Sequence, residues 1–421
     1  MEQKLLTKHI PGMDPMNVQA YLDVEGYQSF LKALKTRPLD IIGDIEQSKL
    51  RGRGGAAFPV HMKMMSMAKQ KETTRYIICN ADEGEPGNFK DRYLMENNPH
   101  QLLEGMLIAA YATRANKGYI YIRGEFDTPI KIMQEAIKQA KAHGMLGTNI
   151  QGSGFDFDLE IRSGAGSYVC GEEFALIESI EGKSGRTRVK PPFPTDVGLF
   201  GKPTLINNVE TFSNLPWILS MGGETFASIG TESSTGTKLV SVSGNVKHPG
   251  VYEVPFGVPI RDVIDTLGGG TQNAQKIGMV QLSGASGPII PEYMLDLTID
   301  FDRFEDFDSK TGAGAIIVMD DQKDMFDILK RISDFFEHES CGKCTPCREG
   351  NVHMSKLLNK FLQSDATEKD LMNLESLSRV MHQTSLCGLG QSAPTAVLST
   401  LKYFRDTYFD RIEHPQEGGR A

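Results

Sequence analysis

Cys341, Cys344 and Cys347 follow one another with two residues between each in ESCGKCTPCREG, residues 339–350. Thiolates grouped this closely bind metal, and six cysteines scattered over 421 residues do not make the disulfide framework of a small secreted domain. Three thiolates leave a four-ligand site one short. The next cysteine, Cys387 in SLCGLGQSAP, lies between two segments of helical period, as the triplet does. A helical bundle can bring both junctions to one end, which makes Cys387 the expected fourth ligand. Four cysteines, three close and one remote, suit a [4Fe-4S] cube. Zinc is the rival: it usually draws ligands as two separated pairs, and His338 and His382 flank the two junctions. The three-and-one split favours the cube. Cys79 ends an apolar run and Cys170 opens a helical one, so both are expected to pack as small hydrophobes.

A second kind of chemistry is suggested by LRGRGGAAFPVHMKM, residues 50–64. Glycines beside Arg51, Arg53 and Lys63 let backbone N–H groups and cations approach a phosphate or an extended cofactor, although a basic surface turn would read the same way. Gly52, Gly54 and Ala57 fit a loose dinucleotide fingerprint, but the preceding PLDIIGDIEQSKL has a helical period, which excludes the Rossmann context. GKS at 182–184 lacks the earlier glycine of a phosphate-binding P-loop, since Ile177 stands there. NADEGEPGNFKDR (80–92) gathers Asn80, Asp82, Glu83 and Glu85 in a turn built on Gly84, Pro86 and Gly87. Such a loop is either solvated or binds ribityl and ribose hydroxyls. GAGSYVCGEE (164–173) is a glycine turn entering a helix, with Glu172 and Glu173 where carboxylates suit the helix dipole, so simple capping competes with binding.

The elements that must carry these residues read as three parts. Residues 1–237 alternate strand-like and helix-like segments, an α/β layer architecture. RYIICNADEG and GYIYIRGEF are predicted strands running into polar loops; PHQLLEGMLIAAYATRA and TPIKIMQEAIKQAKAHG are predicted helices, the second opening at Thr128 and Pro129 and stopping at Gly144. Residues 238–322 form a small β-rich module: two alternating strands joined by a Pro-Gly turn, a short amphipathic helix, and a buried strand at AIIVM, 315–319. Residues 323–421 are expected to be a four-helix bundle, its helices at KDMFDILKRISDFFEHES, NVHMSKLLNKFLQ (from Asn351), EKDLMNLESLSRVMHQ and APTAVLSTLKYFRDTYFDRI, with a polar tail, EHPQEGGRA. A net charge of -9 argues against a nucleic-acid surface. No apolar stretch approaches the ~18 residues that span a bilayer, and MEQKLLTKHIPGMD lacks the apolar core of a signal peptide. The expected place is the cytoplasm, with any membrane association made through partners.

In this order, RGRGGAAFP, CNADEGEPGNFKDR, GAGSYVCGEE, KPPFPTDVGLFGKPTLINNVET and ESCGKCTPCREG resemble the NADH-binding flavoprotein subunit of respiratory complex I. They resemble equally its relatives, the diaphorase subunits of NAD-linked hydrogenases and formate dehydrogenases. The likeness covers nearly the whole chain. It implies an FMN-binding α/β domain, a ubiquitin-like β-grasp module of the soluble-ligand-binding type, and a helical bundle with one [4Fe-4S] cluster. By this resemblance FMN lies against Gly52, Arg53, Gly54 and Lys63, with Asn80, Asp82, Gly171, Glu172, Asn207 and Asn208 around it. NAD(H) lies among Glu83, Glu85, Tyr168 and Lys190, its adenine against Phe58 and Phe193, and Glu173 faces the adenosine ribose and disfavours a 2′-phosphate. Active-site roles are implied for Glu85, Tyr168 and Glu173. The implied partners are a thioredoxin-like [2Fe-2S] subunit and a larger iron–sulfur subunit of a multisubunit complex. Outside the enzymes, a flavin-free scaffold with a structural metal is the competing reading. The chain departs from the family's usual residues at Val60, His61, Met64, Met65, Ser66 and Phe174.

Overall fold

The computed structural model describes residues 2–302 and 312–413, so the predicted polar tail falls outside the described residues beyond Glu413. Two compact units emerge: Met1–Gly84 with Phe89–Val240 and Val251–Val258, and Glu85–Asn88 with Ser241–Gly250 and Pro259–Ala421.

The first unit is organised by four strands: β1 (Tyr76–Ala81), β2 (Lys117–Ile122), β3 (Asp158–Ser163) and β4 (Thr204–Asn208). They form a wholly parallel sheet in the order β3-β2-β1-β4. Strands covered on both faces lose the alternating pattern of a one-sided sheet, and β1 and β2 accordingly read as nearly continuous buried runs. Helix Pro99–Thr113 is buried along almost its whole length. It crosses the short helix Val209–Ser213 so closely that a Cβ on Gly105 would stand 1.9 Å from the Phe212 carbonyl oxygen. The segment before the glycine-rich loop is a helix, Pro38–Gln47, opened by a proline in its first turn, so the sequence reading that excluded a Rossmann strand holds. Because all four strands run the same way, their carboxyl ends share one edge. The chain steps from β1 outward through β2 and β3, then returns to β1's other side as β4, and open α/β sheets bind ligands outside such a switch point.

In the second unit, after β5 (Thr237–Gly244) and β6 (Gly250–Pro255), come β7 (Ile277–Leu282), β8 (Ile289–Ile290) and β9 (Ala315–Asp320). Ser241–Gly244 of β5 pairs parallel with β9, β9 pairs antiparallel with β7, and β7 antiparallel with β8. This is a mixed β-grasp-like sheet, and AIIVM is its strand β9. Helices Met325–Glu339, Thr345–Leu362 and Glu368–Thr384 follow, the last opened by a capping box between Thr367 and Asp370. Two predicted boundaries shift. The second helix starts at Thr345 rather than Asn351, because Pro346 is pre-set for a first turn, and Cys347 therefore sits inside the helix with Cys344 as its N-cap. The last predicted helix is broken at Phe404 into Thr395–Tyr403 and Arg405–Glu413. The break lets Tyr408 become fully buried, where its ring meets Phe326 and Phe361 edge-on and its hydroxyl lies 2.8 Å from Thr400 Oγ1.

Candidate functional site

The carboxyl edge of the parallel sheet collects residues from five distant segments. Asn80 on β1 stands in register with Asn208 on β4, and Cys79 with Asn207. Asn80 Nδ2 donates to the Gly171 carbonyl at 2.8 Å, which ties the turn after β3 to the end of β1. Gly54 packs against β4's end: a Cβ there would stand 2.9 Å from Asn208 Cβ, so the glycine-rich loop owes this approach to the missing side chain. Lys63, in the helix after that loop, donates to the Ile206 carbonyl at 3.2 Å. A Cβ on Gly84 would meet the Arg123 guanidinium at 2.3 Å and Tyr168 at 3.2 Å, so the loop after β1 also runs close to the loops after β2 and β3.

Charge at this edge is arranged around Glu172 and Glu173. Glu172 caps the helix Glu173–Ile180, accepting from the Phe174 and Ala175 N–H groups at 3.0 Å each. The capping reading of Glu172 is therefore correct, and its other oxygen faces Lys190 Nζ at 3.3 Å. Lys190 pairs with Glu173 as well, and Lys63 Nζ lies 4.0 Å from Glu173. Partial burial works against the Lys190 ammonium, but the Glu173 and Glu172 carboxylates outweigh it and hold its pKa above the usual lysine value. Burial pushes Lys63 down, with Glu173 opposing. Phe58 and Phe193 are about half exposed.

Several predicted residues do something more local. Arg53 is fully buried and donates to the Thr235 carbonyl at 2.6 Å and the Arg51 carbonyl at 3.2 Å, with its guanidinium 4.7 Å from the Phe256 ring. Glu83 accepts from the N–H groups of Asp91 and Arg92 at 3.0 and 2.9 Å, and so caps the helix Lys90–Asn97 from a distance. Burial, with Asp91 beside it, raises its carboxyl to about 7. Glu85 belongs to the second unit, where it accepts from the Ser286 N–H at 2.7 Å. Asn208 is engaged at both ends of its amide, by the Glu210 N–H at 2.9 Å and by Asp91 Oδ2 at 2.6 Å. Asn207 differs: its Nδ2 is buried and has no hydrogen-bond partner among the described residues. A buried amide donor of this kind, beside a glycine approach and the Lys63 cation, fits a polar, phosphorylated cofactor such as FMN.

Sequence reasoning missed the groups behind this edge. Lys90, Asp91, Glu210 and Lys238 are all buried and linked: Lys90 Nζ lies 2.7 Å from Asp91 and 2.9 Å from Glu210, and Lys238 Nζ lies 2.7 Å from Glu210. Nothing in FKDR or TKLVSVS distinguishes such lysines from surface ones. Burial lowers Lys238 to about 7 even with Glu210 in contact, whereas Lys238, Lys90 and Arg53 together hold the buried Glu210 carboxyl below its usual value.

The thiols form the second site. Cys347 is buried and Cys341, Cys344 and Cys387 are partly so. The four lie close enough that, after burial itself, the other three raise the Cys347 thiol, which reaches about 11 although Ser340 opposes. Asn351 Nδ2 donates to Cys347 Sγ at 3.3 Å, and Ser340 Oγ lies at the same distance. Donors to sulfur of this kind support a thiolate ligand. Among the described residues no three His, Cys, Asp or Glu side chains close around a single metal ion. A cube, which offers each thiolate its own iron, fits four thiols held more loosely. His382 Nδ1 is 2.9 Å from the Gln391 carbonyl and His338 is exposed, so neither joins the cysteines.

Residues 45–217 match the family described as the Nuo51 FMN-binding domain, 239–291 the SLBB domain, and 327–411 the NADH-ubiquinone oxidoreductase-F iron-sulfur binding region. The chain is 46% identical to the F subunit of the NADH-quinone oxidoreductase of Aquifex aeolicus, over 93% of this chain and 90% of that one. It is 42% identical to the HndC subunit of the NADP-reducing hydrogenase of Solidesulfovibrio fructosivorans, over 97% of this chain and 84% of that one. A crystal structure of an NAD+-reducing [NiFe]-hydrogenase in the H2-reduced state superposes with a TM-score of 0.86 at 35% identity, covering 99% of this chain and 68% of that one. With the glycine-rich loop, the amide-lined sheet edge and the four cysteines all in place, the chain belongs to the family of the NADH-quinone oxidoreductase F subunit and its hydrogenase counterparts.

Proposed function

We propose that the chain is an NADH dehydrogenase, or diaphorase, subunit: it transfers hydride between NAD(H) and FMN and passes single electrons through a [4Fe-4S] cluster to partner subunits, as in NADH:quinone oxidoreductase. The observation that carries the reading is the sheet edge, where Gly54 and Lys63 reach the end of β4, Asn80 holds Gly171, and the buried Asn207 amide has no hydrogen-bond partner among the described residues. FMN, when bound, supplies the conversion of a two-electron hydride into the single electrons that an iron–sulfur cube accepts. The chain's own residues bind and orient. Asn207, Lys63 and the backbone at Gly52 to Gly54 hold the flavin, with Asn80, Asp82, Gly171 and Glu172 shaping the pocket. Lys190 and Glu173 orient the nicotinamide nucleotide, Phe58 and Phe193 flank its adenine, and Tyr168 and Glu85 complete the surround. Hydride transfer needs no protein acid or base, so alignment is the protein's contribution.

We assign the flavin and nucleotide to a domain of residues 1–237, the β-grasp module to 238–322 and the cluster bundle to 323–421. Cys341, Cys344, Cys347 and Cys387 hold the cluster. A thioredoxin-like [2Fe-2S] subunit and a larger iron–sulfur subunit are the partners this chemistry calls for. No helix among the described residues is long and apolar enough to cross a membrane. A cytoplasmic location, attached at the inner membrane face through partners, follows from the quinone reading. The similarity to HndC and to the [NiFe]-hydrogenase chain favours a second reading, in which the terminal acceptor is a hydrogenase centre. Co-purifying subunits separate the two. The underlying reading is tested by denaturing the purified full chain and identifying the released flavin. FMN is expected in near-stoichiometric amount; FAD alone, or no flavin, overturns it.

A further inference from the structure

The Lys90, Asp91, Glu210 and Lys238 network has no role in the function proposed so far, yet it is the densest group of buried charge in the first unit. Lys90, Lys238 and Glu210 have no exposed side-chain surface at all. Burying such charges costs several kcal/mol per ion before pairing, and an apolar cluster of similar volume is often as stable. Stability alone is therefore a weak reason for the network, and its connections suggest a better one.

Every link leads to the sheet edge. Asp91 Oδ2 accepts from Asn208 Nδ2 at 2.6 Å, and Lys90 Nζ reaches Asn208 Oδ1 at 3.4 Å. The Glu210 N–H is capped by the same Asn208 oxygen, while the Glu210 carboxylate accepts from the Leu239 N–H at 2.9 Å and holds both lysines. Asn208 Cβ is the atom against which Gly54 packs. Arg53, next in the loop, takes part electrostatically: its charge helps hold Glu210 ionised and opposes a charge on Lys238. Two carboxylates, Asp91 and Glu210, thus face Arg53, Lys90 and Lys238, the last of which carries its full charge only below about pH 7. Glu83, the remaining acid here, has both oxygens on backbone N–H groups.

We propose that the buried Lys90–Glu210–Lys238 network is a positioning part of the flavin site: it locks Asn208 against the Gly54 turn and, with Lys238 protonated, supplies positive charge that favours the anionic reduced isoalloxazine ring of FMN over the neutral oxidised ring. The inference rests on the FMN reading above. No group of the network changes oxidation state or gives up a proton. FMN, when bound, would gain negative charge on its ring on two-electron reduction, and the protonated Lys238 with Lys90 and Arg53 would make that charge less costly to hold.

The test uses the full-length apoprotein and two probes, FMN and dithionite-reduced FMN, each titrated anaerobically at about pH 6, where Lys238 keeps its proton. The wild type is compared with Lys238→Met, Lys238→Arg and the double variant Lys238→Met/Glu210→Gln. Lys238→Met is expected to weaken reduced FMN about tenfold more than oxidised FMN, and Lys238→Arg to restore the ratio. The double variant, which removes one charge of each sign and so protects folding, is expected to keep the wild-type ratio while weakening both forms through a loosened Asn208. An unchanged ratio in folded Lys238→Met, or a ratio shifted equally in the double variant, overturns the proposal. A wild-type apoprotein that binds neither form overturns the FMN reading, and this inference with it.

Discussion

The sheet edge of the first unit and the cysteine centre of the second hold their functional groups by opposite means. At the edge, residues from Gly54 to Asn208 converge because parallel strands end together, and buried ions lie behind them. At the centre, three of four ligands come from seven consecutive positions, and the partners of the buried one are the neutral side chains of Ser340 and Asn351. A site built by topology needs the whole fold to be correct, whereas a site built by local spacing needs one helix start and one remote loop. Substitutions should therefore act differently in the two regions.

The largest contrast is all-or-none. Cys387→Ser is expected to abolish the cluster, read as loss of protein-bound iron, while flavin content stays near wild type; retained iron would break the assignment of the fourth ligand. Next, Glu210→Ala strands two buried lysines and is expected to cost about 3–5 kcal/mol by urea unfolding. Asp40→Asn, which removes the exposed pair with Arg37, should leave the urea midpoint unchanged. Equal effects would mean that the buried network is not special. Glu83 gives a pH signature. Its folded pKa of about 7 lies above the unfolded value, so the folded state keeps a proton that the unfolded state has released between about pH 4.5 and 7. The stabilisation from this group is complete below that window and is lost as pH rises through it, by up to about 3 kcal/mol. Glu83→Gln should flatten the stability curve there, and an unaltered slope would show that Glu83 ionises normally. The smallest effect concerns specificity. With Glu173 facing the adenosine ribose, as the family resemblance implies, Glu173→Gln should narrow the NADH-over-NADPH ratio of kcat/KM by about tenfold; an unchanged ratio would count against that role.

The same contrast explains what could be read from residues alone. The grouping of Cys341, Cys344 and Cys347 was legible because their spacing is local, and the helical periods on either side of Cys387 suggested that it joins them, and the four thiols do lie close together. Strands β1 and β2 were legible as apolar runs. The helix start at Thr345 was hidden because a Cys-rich turn masks the period, and the break at Phe404 because the apolar spacing continues through it; only the packing of Tyr408 on Phe326 and Phe361 requires it. The ion network was not legible at all. Lys90, Glu210 and Lys238 come from three separate segments, and a buried lysine differs from a surface one only through the partner the fold supplies. Glu83 and Glu85 show the converse: two residues apart in a single acidic loop, they cap a helix in one unit and hold a turn in the other.

The most direct test of the account is an anaerobic NADH titration of the purified full chain, followed at once by flavin absorbance and by the paramagnetic signal of the iron centre. The account predicts that NADH bleaches a bound FMN and that a reduced-cluster signal appears with it. A chain that carries flavin and iron yet stays unchanged on adding NADH would contradict it.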